Sequence, residues 1–248
     1  MLGIGLITNT VTILLGTFFG VLIGDRLRAS TRQIVTDVLG LITMVIAVQS
    51  VMSIADASFI AEVGSSATLL VILGGLLIGG IIGSLLQLEE RLESLGSVLQ
   101  NKLSQGGPSG ERQRFIEGFV ASSLLFSIGP LAILGPINEA LGNGSEQLFL
   151  KSTLDGFASM AFAASFGIAV AFSIIPVTII QGSFFILGLV VGDVIPDAYI
   201  AAITAAGGLM LAGVSLRLLE IRKIQVANLL PGLLLTPLLV YVVHLIIG

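Results

Sequence analysis

The sequence predicts an all-α polytopic membrane protein of about eight transmembrane helices, and three observations carry that prediction. Hydrophobic residues fill 55% of the 248 positions and charged ones only 10%, with mean hydropathy +1.08; globular domains carry about 25% charged residues. The apolar runs are long rather than strand-sized and alternating, which argues against a barrel. Lysines and arginines gather in alternate loops, the asymmetry expected of a multi-pass chain.

Hydropathy punctuated by Gly, Pro and charge places spans at about 3–24, 34–54, 66–87, 115–136, 152–172, 175–192, 199–217 and 227–247. The first has no basic residue ahead of its apolar core, which a signal peptide has, so it reads as a retained helix. Arg26, Arg28 and Arg32 follow it. Arg91, Lys102, Arg112 and Arg114 fill the third loop, and Arg217, Arg222 and Lys223 the seventh. Loops two, four and six carry carboxylates instead (Asp56, Glu62, Glu139, Glu146, Asp193, Asp197), with Lys151 just past the fourth. The positive-inside rule then makes loops one, three and seven cytoplasmic and both termini extracytoplasmic.

That register requires the apolar stretch Leu148–Gly192 to be two spans, and it is about twice the roughly 20 residues that one span needs. The division is expected near Ser173–Pro176, because proline disfavours helix for the residue before it. In the long third loop, Leu88, Leu92, Leu95 and Leu99 share a helical face, with Glu89, Glu90, Glu93 and Lys102 on the polar side. This predicts an amphipathic helix on the inner membrane surface, or a partner-docking helix, and then a Gln105–Gly110 linker. Residues 88–113 are read as cytoplasmic, attached to a single transmembrane domain.

Val11–Asp25 (VTILLGTFFGVLIGD) and Val177–Asp193 (VTIIQGSFFILGLVVGD) resemble one another. Read as a duplication, they relate helix one to helix six, an odd offset that inverts one copy across the membrane. Inverted repeats are a recurring plan of secondary transporters. The match needs two inserted residues, which turn a helix by about 200°, so the glycine faces need not coincide. Gly75, Gly79, Gly80 and Gly83 form a similar ladder in span three. Such ladders also serve plain helix packing, or a homodimer.

Polar groups at membrane depth are the candidate site. Asp155 lies about one turn inside the fifth span, four residues after Lys151, a spacing that lets the two pair; Ser152 and Ser159 share its face. It reads either as a cap at the helix start or as a proton or ion ligand. Gln181 in span six and Asn9 in span one need partners that lipid does not supply. Thr10 and Thr12 beside Asn9, and Gln49 and Ser50 in span two, are comparable groups. Span four carries Ser122 and Ser123 together with Gly129-Pro130 and Gly135-Pro136, which mark a kinked or broken helix. Asp155, Ser159, Gln181, Asn9, Ser122 and Ser123 are therefore the expected substrate- or ion-binding residues.

Other chemistries find no support. Zero cysteines remove disulfides and thiolate ligands, and the single His244 argues against haem or a conventional zinc site. No catalytic triad, HExxH or P-loop can be assembled, so neither an enzyme nor a cofactor or metal site is expected. No basic run suggests nucleic acid, and the net charge of −4 implies no partner beyond the lipid bilayer.

Several motifs occur together and in order: Asn9 followed by Ile13-Leu-Leu-Gly16-x-x-x-Gly20, Lys151-x-x-x-Asp155-Gly156, Gln181-Gly182, and Asn228-Leu-Leu-Pro231. On these the chain resembles the YqgA-like family of uncharacterised bacterial inner-membrane proteins, a domain of unknown function, over essentially its whole length. The resemblance implies a bacterial plasma membrane and roughly this helix count, and supplies no substrate, cofactor or site. The residues themselves favour a secondary transporter or channel-like permease for a small solute or ion. A non-transporting scaffold or envelope regulator, and a subunit that works only beside another protein, are the alternatives.

Overall fold

The computed structural model describes residues 3–103, 109–191 and 196–247, and those residues form helices and no strand. In order they are α1 (Ile4–Gly24), α2 (Ala29–Val51), α3 (Ala57–Val63), α4 (Thr68–Leu85), α5 (Leu88–Leu103), α6 (Ser109–Ser127), α7 (Pro130–Ala140), α8 (Glu146–Phe166), α9 (Ile174–Val191), α10 (Asp197–Leu218) and α11 (Gly232–Ile247). Six helical stretches are long and apolar enough to cross a membrane, or seven if the bent pair α6–α7 counts as one span. The sequence count of about eight differs because it takes the 45-residue stretch Glu146–Val190 as two arms. Most of the expected Gln105–Gly110 linker, and Gly192-Asp193 at the close of the expected repeat, lie outside the described residues; Ser109 and Gly110 already belong to α6.

The chain divides into two compact units, Met1–Gly40 with Leu92–Asp193, and Leu41–Arg91 with Val194–Gly248. In the first, the closest helix pair is α1 against α8. The buried residues of α1 (Gly5, Asn9, Ile13, Gly16, Thr17, Gly20, Gly24) recur at helical period and form one face. A Cβ at Gly16 would come within 2.1 Å of the Gly156 carbonyl oxygen, and one at Gly20 within 2.2 Å of that of Met160. Gly24 approaches Ala164 in the same way. Partner numbers rise together along both helices, so α1 and α8 run parallel. Backbone contact at this range is what small residues allow where lipid gives no hydrophobic drive between helices.

Beyond Phe166 the chain reverses. Gly167 takes φ 72°, left-handed backbone that glycine adopts without Cβ strain, and a 3-10 stretch, Gly167–Ser173, leads into α9. Helix α9 then returns along the first arm. Its Gln181 meets Asn9 near the start of α1, and its Gly188 lies against Ile137 and Ala140 of α7. The break therefore runs from Gly167 to Ser173, beginning earlier than the expected Ser173–Pro176 and ending where that division begins. Pro176 sits in the first turn of α9, where its missing N–H leaves no helical bond unmade.

Helices α6 and α7 are bent by 54°. Gly129 supplies φ 139° at the break and Pro130 opens α7, whereas Pro136 is accommodated inside α7 without ending it. Only the first of the two Gly-Pro steps breaks the span. At the start of α1, Glu139 of α7 accepts the Gly5 backbone N–H (2.7 Å) and the Ser145 hydroxyl (2.6 Å). A carboxylate thus takes one of the orphan donors at a helix N-terminus, where the dipole favours negative charge.

In the second unit, α4 packs antiparallel to α11. Gly75 faces Thr236, Gly79 faces Gly232, and a Cβ at Gly83 would stand 1.9 Å from the Asn228 carbonyl oxygen. Helix α10, rich in alanine and glycine, is the most enclosed of the candidate spans. The second loop contains α3, whose first turn is capped by Asp56 accepting from the Ser58 N–H (2.9 Å) and hydroxyl (2.5 Å).

The expected helical repeat partners differ in use. Gly16, Gly20 and Gly24 of α1 are filled by α8, whereas Gly182 of α9 meets open space and Gly188 meets α7. The glycine faces of the two segments are not equivalent, as the two-residue insertion implies.

Candidate functional site

The first unit brings Asn9, Gln181 and Asp155 together. The Asn9 Nδ2 donates to Gln181 Oε1 at 3.3 Å, and the Asn9 side chain also faces the Asp155 carboxylate. A carboxylate only accepts, which turns the amide nitrogen of Asn9 towards it. Lys151 bonds Asp155 one turn away along α8. All four residues are buried, Asp155 the least so at 8% exposure.

This bonding leaves capacity unused. Asn9 Oδ1 and Gln181 Nε2 are buried with no hydrogen-bond partner among the described residues. One bond between two amides consumes one donor group and one acceptor whichever way they are flipped, so an acceptor on one and a donor on the other remain. Thr17 Oγ1, two turns further along the same face of α1, and Ser127 Oγ near the α6–α7 break are also unpartnered. Buried polar groups in native proteins are nearly always satisfied, so each exception asks for a water, ion or solute.

Asp155 lies deeper than the sequence suggests. Helix α8 starts at Glu146, not near 152, which puts Asp155 about two and a half turns in. The N-terminal dipole fades within the first turn, so capping does not account for this carboxylate. Lys151, counted with the outer loop, is buried at 5%.

The serines divide. Ser159 continues the Asp155 face, but its hydroxyl donates to the Gly156 carbonyl (2.9 Å) and it packs on Gly16. Ser122 and Ser123 donate to the Gly118 and Phe119 carbonyls of their own helix. Among the described residues no hydrogen bond links either one to Asn9, Gln181 or Asp155. Serine back-bonding of this kind relieves a hydroxyl locally and needs no ligand. No group of three His, Asp or Glu side chains that could hold a metal occurs among the described residues.

The second unit holds a cluster that the sequence reading missed. Glu89, expected on the polar side of the amphipathic helix, is 2% exposed, and it pairs with Arg217, 3% exposed, at the end of α10. Its other carboxylate oxygen accepts the Ala227 N–H (2.9 Å), while its own N–H donates to Asn228 Oδ1 (2.9 Å). The carboxylate thereby ties the start of α5 to the end of α10 and to the 3-10 stretch Val226–Leu229 before α11. The available signal was Asn228-Leu-Leu-Pro231, an amide and a proline just ahead of a span.

The family described as "Protein of unknown function (DUF554)" matches residues 4–241. The "Uncharacterized membrane protein YdfK" of Bacillus subtilis (strain 168) is 29% identical over 240 residues, covering 97% of this chain and 96% of that protein. The "Uncharacterized protein YqgA" of Escherichia coli (strain K12) is 32% identical over 232 residues, 94% of each. No solved structure matches.

Proposed function

Because the chain belongs to the DUF554 family of proteins of unknown function, we propose from its own residues that it is a secondary transporter or channel-like permease. It would carry a small solute or ion, chemically unchanged, across a bacterial plasma membrane. The observation that supports this is the buried amide pair Asn9–Gln181, with one acceptor and one donor unfilled beside the Asp155–Lys151 ion pair. A solute or hydrated ion that offers a donor to Asn9 Oδ1 and an acceptor to Gln181 Nε2 would complete the site. Asp155 is the coupling carboxylate in this reading, and Lys151 is the internal cation that it releases when the cargo binds. Ser159 borders the site; Ser122 and Ser123 contribute through the shape of α6. The arginine-rich loops face the cytoplasm and both termini the outside. The broken pair α6–α7 and the reversed pair α8–α9 are the kind of discontinuous helices between which transporters place their sites.

The test is flux of ions and small solutes into proteoliposomes, with wild type, Asp155→Asn and Gln181→Leu compared across a pH gradient. Flux in wild type that falls at least about tenfold in both variants, with melting intact, supports the reading; a panel with no flux from folded wild type overturns it. One observation favours the scaffold reading instead. The Lys151–Asp155 pair and the hydroxyls of Ser122, Ser123 and Ser159 are satisfied without cargo, as groups that serve packing alone would be.

A further inference from the structure

A cavity separate from the polar site lies at the far end of α1 from Asn9. It encloses about 230 Å³, and Arg32 of α2 and Arg114 of α6 both line it. This is smaller than the roughly 300–1,000 Å³ of drug-sized ligand sites. Arg32 is held rigidly, with Nε and Nη2 on the Gly24 carbonyl at 3.1 and 2.6 Å, which leaves Nη1 to other use. Both guanidiniums are half-buried, and they are close enough to repel one another. Asp25 and Glu111 also line the cavity, but they stand at its exposed rim, and neither makes an ion pair with the arginines within contact distance among the described residues. The remaining wall is apolar, with Phe115 buried behind it.

Glu111 offsets part of the repulsion on Arg114 from the rim, but among the described residues no carboxylate bridges the two arginines, and a bound anion between them would return the remaining cost. Guanidinium is suited to that part, since it is weakly hydrated and grips oxyanions with paired N–H groups. Under the topology proposed above, this cavity opens at the cytoplasmic rim of the membrane, the level of phospholipid headgroups.

We propose that the Arg32–Arg114 cavity binds a phosphate group, presented either by an anionic lipid headgroup or as a free phosphate-bearing solute. The site does not depend on transport. Arg32 fixes one side of the phosphate and Arg114 supplies the second fork, while Asp25 and Glu111 at the rim repel anions that do not reach both.

The experiment uses the full chain in detergent, stripped of lipid, with Arg114→Gln, Arg114→Lys and Arg28→Gln as variants. Arg28 is exposed just ahead of α2, one turn before Arg32, and does not line the cavity. One arm titrates phosphatidylglycerol against phosphatidylcholine and counts bound lipids by native mass spectrometry. The other titrates inorganic phosphate by calorimetry. Saturable binding of phosphatidylglycerol, weakened about tenfold or more in Arg114→Gln as loss of a charge-assisted bond predicts, assigns the lipid source. The same pattern with inorganic phosphate alone assigns the free solute. Arg28→Gln is expected to bind as wild type, and Arg114→Lys to fall between wild type and Arg114→Gln. Should neither ligand bind wild type, or should Arg114→Gln and Arg28→Gln bind alike with equal melting temperatures, the proposal is wrong. If Arg114→Gln does not fold, the decision passes to Arg114→Lys, whose wild-type affinity would equally overturn it.

Discussion

Glu89 and Arg217 form an ion pair inside the second unit, although one opens a helix and the other closes one. Each is withdrawn from water at a chain position where a charge would ordinarily face it. Removing one partner of such a pair leaves an uncompensated buried charge, which costs about 3–5 kcal/mol. Arg217→Met is therefore expected to destabilise the protein by about that much. The double variant Glu89→Gln/Arg217→Met should recover part of the loss, because the amide oxygen it places at position 89 would still accept from the Ala227 N–H. Unfolding followed by denaturant in detergent micelles reads both. Equal stability of the Arg217→Met variant and wild type would mean that the pair is not formed.

The glycine contacts give a second, internally controlled expectation. Gly83→Ala forces a methyl group against the Asn228 carbonyl, and Gly16→Ala against that of Gly156. Overpacking of this sort costs about 1–3 kcal/mol, more where both sides are backbone. Gly182→Ala meets nothing within 4 Å and should leave the melting temperature unchanged or raise it slightly. The three melting temperatures, measured side by side, distinguish tight packing from a general intolerance of alanine.

At the polar site, stability and activity should separate. Lys151→Met alone strands Asp155 and is expected to cost about 3–5 kcal/mol. The double variant Lys151→Met/Asp155→Leu removes both charges and should melt within about 1–2 kcal/mol of wild type, since apolar replacement of a buried pair is often neutral. It should nonetheless abolish flux. A folded double variant that still transports would remove Asp155 from the mechanism.

Asp56 supplies a pH dependence outside the spans. Hydrogen bonds from the Ser58 hydroxyl and N–H hold its carboxyl below the usual carboxylate value. A depressed folded value means that its contribution to stability is complete above the unfolded value of about 3.9. The contribution is lost as pH falls through the lower folded value. Protection of the α3 amides, taken relative to their intrinsic exchange rates at each pH, should therefore hold from neutrality down to about pH 4 and fall below it. Asp56→Ala should show the lowered protection already at neutral pH, with an N-cap loss of about 1 kcal/mol.

The sequence exposes what lipid penalises. Asn9, Gln181 and Asp155 stand out because no polar group is expected in an apolar run, and all three meet in one cluster. The charges at span ends are the reverse case. Glu89, Glu139 and Arg217 sit where solvated residues are normal, and only a partner far away in the chain marks them as buried. Glu139 takes the N–H of Gly5, 134 positions earlier, and Glu89 reaches Arg217 across 128. Helical periodicity says nothing about such distances. The break ends at Ser173, where the sequence divides the stretch, but its beginning at Gly167 is illegible for a local reason. A left-handed glycine is silent in hydropathy, whereas Pro176 is conspicuous but harmless in a first helical turn.

The parallel contact between α1 and α8 also sets an order of assembly. Parallel neighbours cannot be joined by a short turn, and here 142 residues separate the end of α1 from the end of α8. At roughly 5–20 residues per second, a ribosome takes about 7–28 s to make that length. Throughout that interval the first helix sits in the bilayer with its glycine groove empty and Asn9 facing lipid. Newborn chains stalled before residue 146 should thus be held by an insertion chaperone or degraded, while chains released past Gly167 should not.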